Sequence, residues 1–466
     1  MSYLGANIRK STKSEIFRYA FGGLGSNIPF LLTLTYLMFY LTDVVGISPI
    51  AIGGLFLVSR IIDAVTDPIM GMIADHTKTK FGKFRPYVMF GAPLLGLITI
   101  ALFNVPAVSD SLQVVYIYII YIVYSLISTV VNIPYHSLTP ILSEDSDQRT
   151  TIATAKTAMS VPANIIVNVL VLPMVAMFGG GQQGWTVTSI ILGTVLTISF
   201  WICASSAKRH DVIVKNDDRI NKRKFSLKEQ LFLIGKNRPL LMIMIAMCTN
   251  LIASSSVGAI ALYYFTYNLG RADLFPLQSL VAIPFTILAF ILLPVLSKKI
   301  GKRNVFLYGS MIAIIPALTI LFTPFEFVWV IFAAAVTIAA LTPFTGNIAW
   351  AMLPDCVDYA EWKTGVRGDG VVTSSLTFIN KLGSALGGLL GGVLLGISGY
   401  VANQAQTPET MQMIVYIYAI MPIAGHIFSI IALKFYNIDN KLHKQIIKEL
   451  KERKNSKIDT AGQTII

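Results

Sequence analysis

Twelve apolar blocks, each long enough to cross the hydrocarbon core of a bilayer, limit what this chain can fold into. They fall at residues 17–41, 50–74, 86–105, 112–137, 151–178, 184–206, 239–268, 275–297, 304–323, 327–353, 371–398 and 411–435. In hydrocarbon a segment must satisfy its own N–H and C=O groups, and a block of about 20 residues does so as a helix. The expectation is an all-α membrane protein with twelve transmembrane helices. Composition agrees: 54% of the residues are hydrophobic and 13% are charged, whereas a soluble chain is about a quarter charged.

The net charge of +13 is not laid out as a nucleic-acid footprint. Basic residues gather in alternate loops: Lys78, Lys80, Lys83 and Arg85; then Lys208, Arg209 and residues 219–236; then Lys298, Lys299, Lys302 and Arg303; then the tail from Lys441. The opposite loops, near Asp43 and at residues 105–110, 179–184, 268–273 and 402–409, are short and nearly free of Lys and Arg. The positive-inside rule places the first set, and both termini, in the cytoplasm. Residues 1–15 are polar, with no cleavable signal. Cys203, Cys248 and Cys356 are far apart and form neither a disulfide framework nor a metal motif. No cofactor or structural metal is expected.

Within the second apolar block, residues 60–67 carry Arg60, Asp63 and Asp67. A charge at the bilayer centre costs at least roughly 2.5–3.5 kcal/mol, so such residues are rare and usually functional. Asp63 and Asp67 are four apart and share a helix face, with Arg60 on the same side. Two stacked acids beside a base can hold a proton or a small cation, so this stretch reads as the coupling-ion site of a transporter.

Polar residues in other blocks extend the candidate site. Asn27 follows Gly22, Gly23, Gly25 and Ser26, small residues that permit close helix packing, although a lone intramembrane Asn more often only joins helices. On helix four Thr129 and Asn132 share a face, and Pro134 frees carbonyls beside them. Tyr124 and Tyr135 can stack on a sugar ring, although membrane aromatics more often pack or sit at the interface. His136 is a pH-sensitive group left outside the core site, since a lone His near a helix end is usually structural. Lys156 on helix five can snorkel to the surface. Lys381 on helix eleven cannot do so easily, and Asp63 and Asp67 are its best candidate partners.

Residues 71–86 join Asp75 to a run of bases, and residues 296–303 echo that pattern six spans later. Two six-helix halves follow, at residues 1–207 and 239–436, with a basic linker at 208–238 and a basic tail at 437–466 suited to an anionic leaflet. Asp355, Asp358, Glu361 and Arg367 lie between helices ten and eleven, and residues 140–149, ending at Arg149, mirror them after helix four. With Asp75 they read as salt-bridge latches that gate or only stabilise.

On these residues the chain resembles the glycoside–pentoside–hexuronide:cation symporters of the major facilitator superfamily. The similarity runs nearly end to end. Its carriers are residues 40–46 (Tyr-Leu-Thr-Asp-Val-Val-Gly), 60–68, 82–86 (Gly-Lys-Phe-Arg-Pro), 132–135 (Asn-Ile-Pro-Tyr) and 355–367. Residues 398–409 (Ser-Gly-Tyr-Val-Ala-Asn-Gln-Ala-Gln-Thr-Pro-Glu) look most like glucuronide carriers. The resemblance implies a cation site at Asp63 and Asp67 with Thr129, a helix-eleven lysine at Lys381 near cation and sugar, and a sugar-contacting base at Lys156. Against the melibiose branch, Asn27 and Asn132 replace two sugar-binding aspartates, and Thr66 replaces a cation-site asparagine. The first two changes suit a less acidic sugar pocket, as in the glucuronide and xyloside branches. The third leaves the coupling ion, H⁺ or Na⁺, open.

The expected function is uptake of a glycoside across the plasma membrane by ion symport with alternating access. β-Glucuronides lead, followed by xylosides and other oligosaccharides or anionic sugars. The expected partners are that small molecule and the lipid bilayer, with no nucleic acid, and a monomer suffices. The rivals are an uncoupled facilitator or exporter of amphiphilic compounds and a polytopic enzyme acting on lipid-linked sugar. The enzyme would need a nucleophile, metal cluster or acid pair at an aqueous site, and the best acids outside the core pair, Asp355, Asp358 and Glu361, sit among latch-like bases with no His or Cys cluster.

Overall fold

The computed structural model describes residues 11–143, 146–211, 227–366 and 368–463. Among these are twelve helices long and apolar enough to span a membrane. They are α1 Lys13–Val45, α2 Pro49–His76, α3 Arg85–Leu102, α4 Asp110–Ser137, α5 Thr151–Met177, α6 Gly181–Arg209, α7 Arg238–Asn268, α8 Leu274–Ile300, α9 Lys302–Phe322, α10 Val328–Thr364, α11 Gly370–Ile397 and α12 Pro408–Lys434. A terminal helix, α13 Asn440–Gln463, follows. The fold is that of a multi-pass, all-helical membrane protein.

The apolar blocks mark these helices within a few residues, with one clear exception. α10 was expected to end near residue 353 but continues to Thr364, where Gly365 at φ 70° caps it. A helix ends where its backbone leaves helical φ/ψ, and loss of apolarity does not by itself end it. Asp355, Asp358 and Glu361 therefore ride on a helical extension, which corrects their assignment to a connection. Arg367 lies outside the described residues, as do residues 212–226 of the expected linker.

The chain forms two compact units. The first is built from Met1–Ile220, Phe275–Leu280 and Gly392–Thr407. Within it α1 packs on α6 and α5, α3 on α4 and α6, and α2 on α4. Close approach depends on small residues. A Cβ on Gly23 would lie 2.4 Å from the Lys156 backbone oxygen, so α1 and α5 touch there only because residue 23 is glycine. At one end of the unit Tyr36, Tyr40, Phe103 and Trp185 form an aromatic cluster with ring centroids 5.1–5.7 Å apart. At the other end, the loop after α2 is tied down by Asp211. Its carboxylate accepts from the backbone N–H groups of Lys83, Phe84 and Arg85 at 2.9, 2.8 and 2.7 Å. Gly82, at φ 111°, brings the loop so near Asp211 that a side chain there would collide with it.

The second unit takes Asn221–Leu274, Val281–Gly391 and Pro408–Ile466. In it α7 and α9 pack on α12, and α10 packs on α9. The α13 helix buries Ile446 against a core that includes Cys356, Tyr359 and Tyr436, and its Glu449 accepts a 2.6 Å hydrogen bond from Trp362 Nε1.

Candidate functional site

α2 is two-faced. Ile61, Val65 and Met72 are about 60% exposed, as a wall against hydrocarbon can be. Asp63, only two residues from Ile61 and so roughly on the opposite side of the helix, is 5% exposed. The helix thus keeps its acid away from its apolar wall and turns it toward α4.

Arg60 donates to Asp63 Oδ2 at 2.9 Å. The other oxygen, Oδ1, accepts a short hydrogen bond from Ser125 Oγ of α4. One turn on, Thr129 Oγ1 donates to Asp67 Oδ1 at 2.9 Å. The two acids are thus held by two hydroxyls four residues apart on the neighbouring helix. Thr66 turns its hydroxyl back to its own helix and donates to the Ile62 carbonyl at 3.0 Å. Its oxygen lone pairs remain acceptors.

The same stripe of α4 continues. Ser125, Thr129, Asn132 and His136 stand at i, i+4, i+7 and i+11, a single helical face. Asn132 Oδ1 accepts from Ser26 Oγ of α1 at 2.6 Å, and its Nδ2 donates to Ser128 O at 3.0 Å. Asn27 donates to Gly23 O at 2.7 Å. Lys156 of α5 places Nζ 2.7 Å from His136 Nδ1 and 5.0 Å from the Tyr135 ring centre. Of the residues chosen from the sequence as sugar ligands, Asn132 is bonded to Ser26, the chain neighbour of Asn27, and Lys156 meets His136, one turn along α4 from Asn132, all within the first unit. Ser125 is the residue that sequence reasoning missed, and His136, set aside there as structural, lies on the same face; extending the Thr129–Asn132 face one turn each way finds both.

The aromatic expectation needs correction. Tyr135 is fully buried, with its ring 5.2 Å from Tyr19 and 5.7 Å from Phe200, and Tyr124 is buried and stacked on Tyr121 at 5.7 Å. Neither offers an open ring face, because each fills a gap in helix packing. Lys381 lies half-buried on α11 in the second unit.

The latch residues resolve individually. Asp75 pairs with Lys83 at 2.9 Å. Asp355 pairs with Lys302 at 2.7 Å and faces His443 at 3.5 Å, while Asp358 faces the same His443 at 3.3 Å. Arg149 donates from Nε to Ser143 O at 2.6 Å. Two residues of the 398–409 stretch acquire a role within the first unit: Tyr400 donates to the Asp43 carboxylate at 2.8 Å, and Asn403 Nδ2 donates to the Asp43 carbonyl oxygen.

Comparison with known proteins adds four findings. Residues 18–440 match the family described as MFS/sugar transport protein. The isoprimeverose transporter of Lactiplantibacillus pentosus is 34% identical, over 94% of this chain and 91% of its own. The glucuronide carrier protein homolog of Escherichia coli (strain K12) is 31% identical, over 94% and 95% of the two chains. Among solved structures, a D-xylose-proton symporter shares the fold with a TM-score of 0.62 at 16% identity, over 89% of this chain and 96% of its own.

Proposed function

Because the chain belongs to the MFS/sugar transport family, and so is a transporter and not an enzyme, we propose that it takes up a glycoside by symport with H⁺ or Na⁺. The observation that carries this reading is the single α4 stripe that joins Asp63 and Asp67, through Ser125 and Thr129, to Asn132 and Ser26. A cation or proton taken up by the acids changes the hydrogen bonding of two hydroxyls. Those hydroxyls share a rigid helix with the amide that meets the sugar. Ion and sugar then raise each other's affinity by a coupling of about 1–3 kcal/mol, the usual range, and the loaded protein alternates its access.

Asn27 and Asn132 donate and accept, as sugar hydroxyls require, and carry no charge to repel an acidic sugar. β-Glucuronides are the leading substrates, with xylosides next. Similarity to an isoprimeverose transporter and to a glucuronide carrier protein homolog supports the class. The chain sits in the plasma membrane with both termini in the cytoplasm, a reading whose orientation the basic loops support.

The test is uptake of a labelled glycoside panel by cells expressing the protein, with Na⁺ removed or the proton gradient collapsed. Loss only on collapse assigns H⁺, and loss only on Na⁺ removal assigns Na⁺. Uptake that responds to neither and never exceeds the outside concentration overturns the coupling.

A further inference from the structure

We infer that a cavity at the N-terminus of α9, at the cytoplasmic end of the second unit, is a phosphate site that takes a phosphate monoester, either free or as a lipid headgroup. The inference does not depend on which sugar is carried. The cavity encloses about 360 Å³, a volume usual for small-ligand sites, and its wall joins the start of α9, the segment after α12 and the start of α13. Basic residues gather at this end of the unit, so on the positive-inside rule it meets the cytoplasm and the inner leaflet.

Several donors converge on the cavity. α9 begins at Lys302, and Gly301 before it has no side chain to cap the helix. The first bond within α9 runs from Val305 N–H to Gly301 O at 3.1 Å, so the N–H groups of Lys302, Arg303 and Asn304 precede it without a capping side chain. Such an end favours an anion, and here it carries a guanidinium. Arg303 is held by the end of α12: its Nε donates to Leu433 O at 2.9 Å and Nη2 to Lys434 O at 3.2 Å. No carboxylate among the described residues pairs with it.

Tyr436 points to a ligand independently of the helix end. It is 1% exposed and belongs to the wall of the same cavity, yet its hydroxyl makes no hydrogen bond among the described residues. The Cys356 thiol beside it is at best a weak partner. A buried hydroxyl is rarely left unbonded, and one in a cavity wall calls for a water or a ligand. The acids of the wall, by contrast, are engaged. Asp355 is neutralised by Lys302 at 2.7 Å and faces His443 at 3.5 Å, and Asp439 accepts from the Leu442 N–H at 2.7 Å at the start of α13. Arg303 and Lys441 remain as surplus positive charge in the wall. A tetrahedral phosphate has oxygens enough for the helix N–H groups, the guanidinium and the ammonium together, and by meeting all three it ties α13 to α9.

The test follows the melting temperature of the full-length protein, purified in an uncharged detergent and stripped of lipid, as inorganic phosphate is added, with chloride at matched ionic strength as the reference. In a second arm the protein is held in phosphatidylcholine nanodiscs with or without phosphatidic acid. A saturable rise with phosphate assigns free phosphate compounds, and a rise only with phosphatidic acid assigns the headgroup; either supports the site. In the arm that responds, the half-saturating concentration or lipid fraction increases about tenfold in Arg303→Gln and in Lys441→Gln, each of which removes a charge-assisted bond. Lys444→Gln, exposed on α13 outside the cavity, responds as the wild type does. Arg303→Gln also loosens the hold on α12, so the exposed Lys441 position decides the matter if that variant folds poorly. No rise in either arm, a rise that chloride reproduces, a Lys441→Gln response equal to the wild type, or an equal loss in Lys444→Gln overturns the phosphate site and leaves the transport reading untouched.

Discussion

Asp63 and Asp355 are both buried acids with a basic partner, at 5% and 7% exposure, yet they are built for different work. Asp63 is paired with Arg60 three residues away on the same helix. Such a pair fastens no helix to another, and the desolvation of both charges is not repaid in architecture. Asp355 is paired with Lys302, 53 residues away, and faces His443 of α13, so it joins α9, α10 and the terminal helix. An intrahelical pair in a membrane span is maintained for chemistry, whereas an interhelical pair at a helix end is a fastener. If that distinction is right, mutations at the two sites fail in opposite ways.

The largest effect is expected at Asp63. Asp63→Asn keeps the shape and the hydrogen bond to Ser125 but loses the charge. Gradient-driven accumulation falls on the order of a hundredfold, the upper range of a coupling free energy, while counterflow exchange of sugar per folded molecule persists. Accumulation by the Asn variant against a gradient would break the comparison at its stronger end.

Asp355→Ala is next, and its failure is structural. Removing one member of a buried pair costs about 3–5 kcal/mol, and the low end applies here because Lys302 is partly exposed. The purified protein unfolds several degrees lower and less of it reaches the membrane, while the accumulation ratio per folded molecule is unchanged. A lowered ratio at normal abundance would make this a gate instead of a fastener.

Thr129→Val sharpens the first site. It removes one donor to Asp67, a loss of about 1 kcal/mol, so the half-saturating ion concentration rises about fivefold with little change in sugar KM at saturating ion. The matching Ser125→Ala change tests whether Asp63 or Asp67 is the more sensitive acid.

What was legible in the sequence follows the same division. The spans were legible because hydropathy and bilayer thickness set them directly, and the end of α10 was not because a Gly at positive φ sets it. Arg60, Asp63 and Asp67 were legible because charge in an apolar block is expensive. Ser125 was not, because hydroxyls inside helices usually bond their own backbone, as Thr99 and Ser199 do here. Asp211 and the pairing of Asp43 with Tyr400 were out of reach for another reason. Their partners lie 126 and 357 residues away, and no local pattern announces such distances.

The smallest effect belongs to α13, which is fastened by Glu449. The indole N–H of Trp362, and after it the Gln445 amide, hold the Glu449 carboxyl below its ordinary pKa. A depressed carboxyl stabilises the folded form above its unfolded pKa, near 4.5, and this contribution is lost as pH falls through the lower folded value. The contribution of Glu449 to the docking of α13 is therefore constant from neutral pH down to about pH 4.5 and weakens only below it. Trp362 reports it directly: in the wild type its emission shifts to the red only in that acid range, whereas Glu449→Ala, with no acceptor for the indole, is already shifted at neutral pH and shows no acid step. Since the Asp63 site is in the other unit, the ion dependence of transport in Glu449→Ala should match the wild type. A changed ion dependence would mean that the fastener and the chemistry are not separate after all.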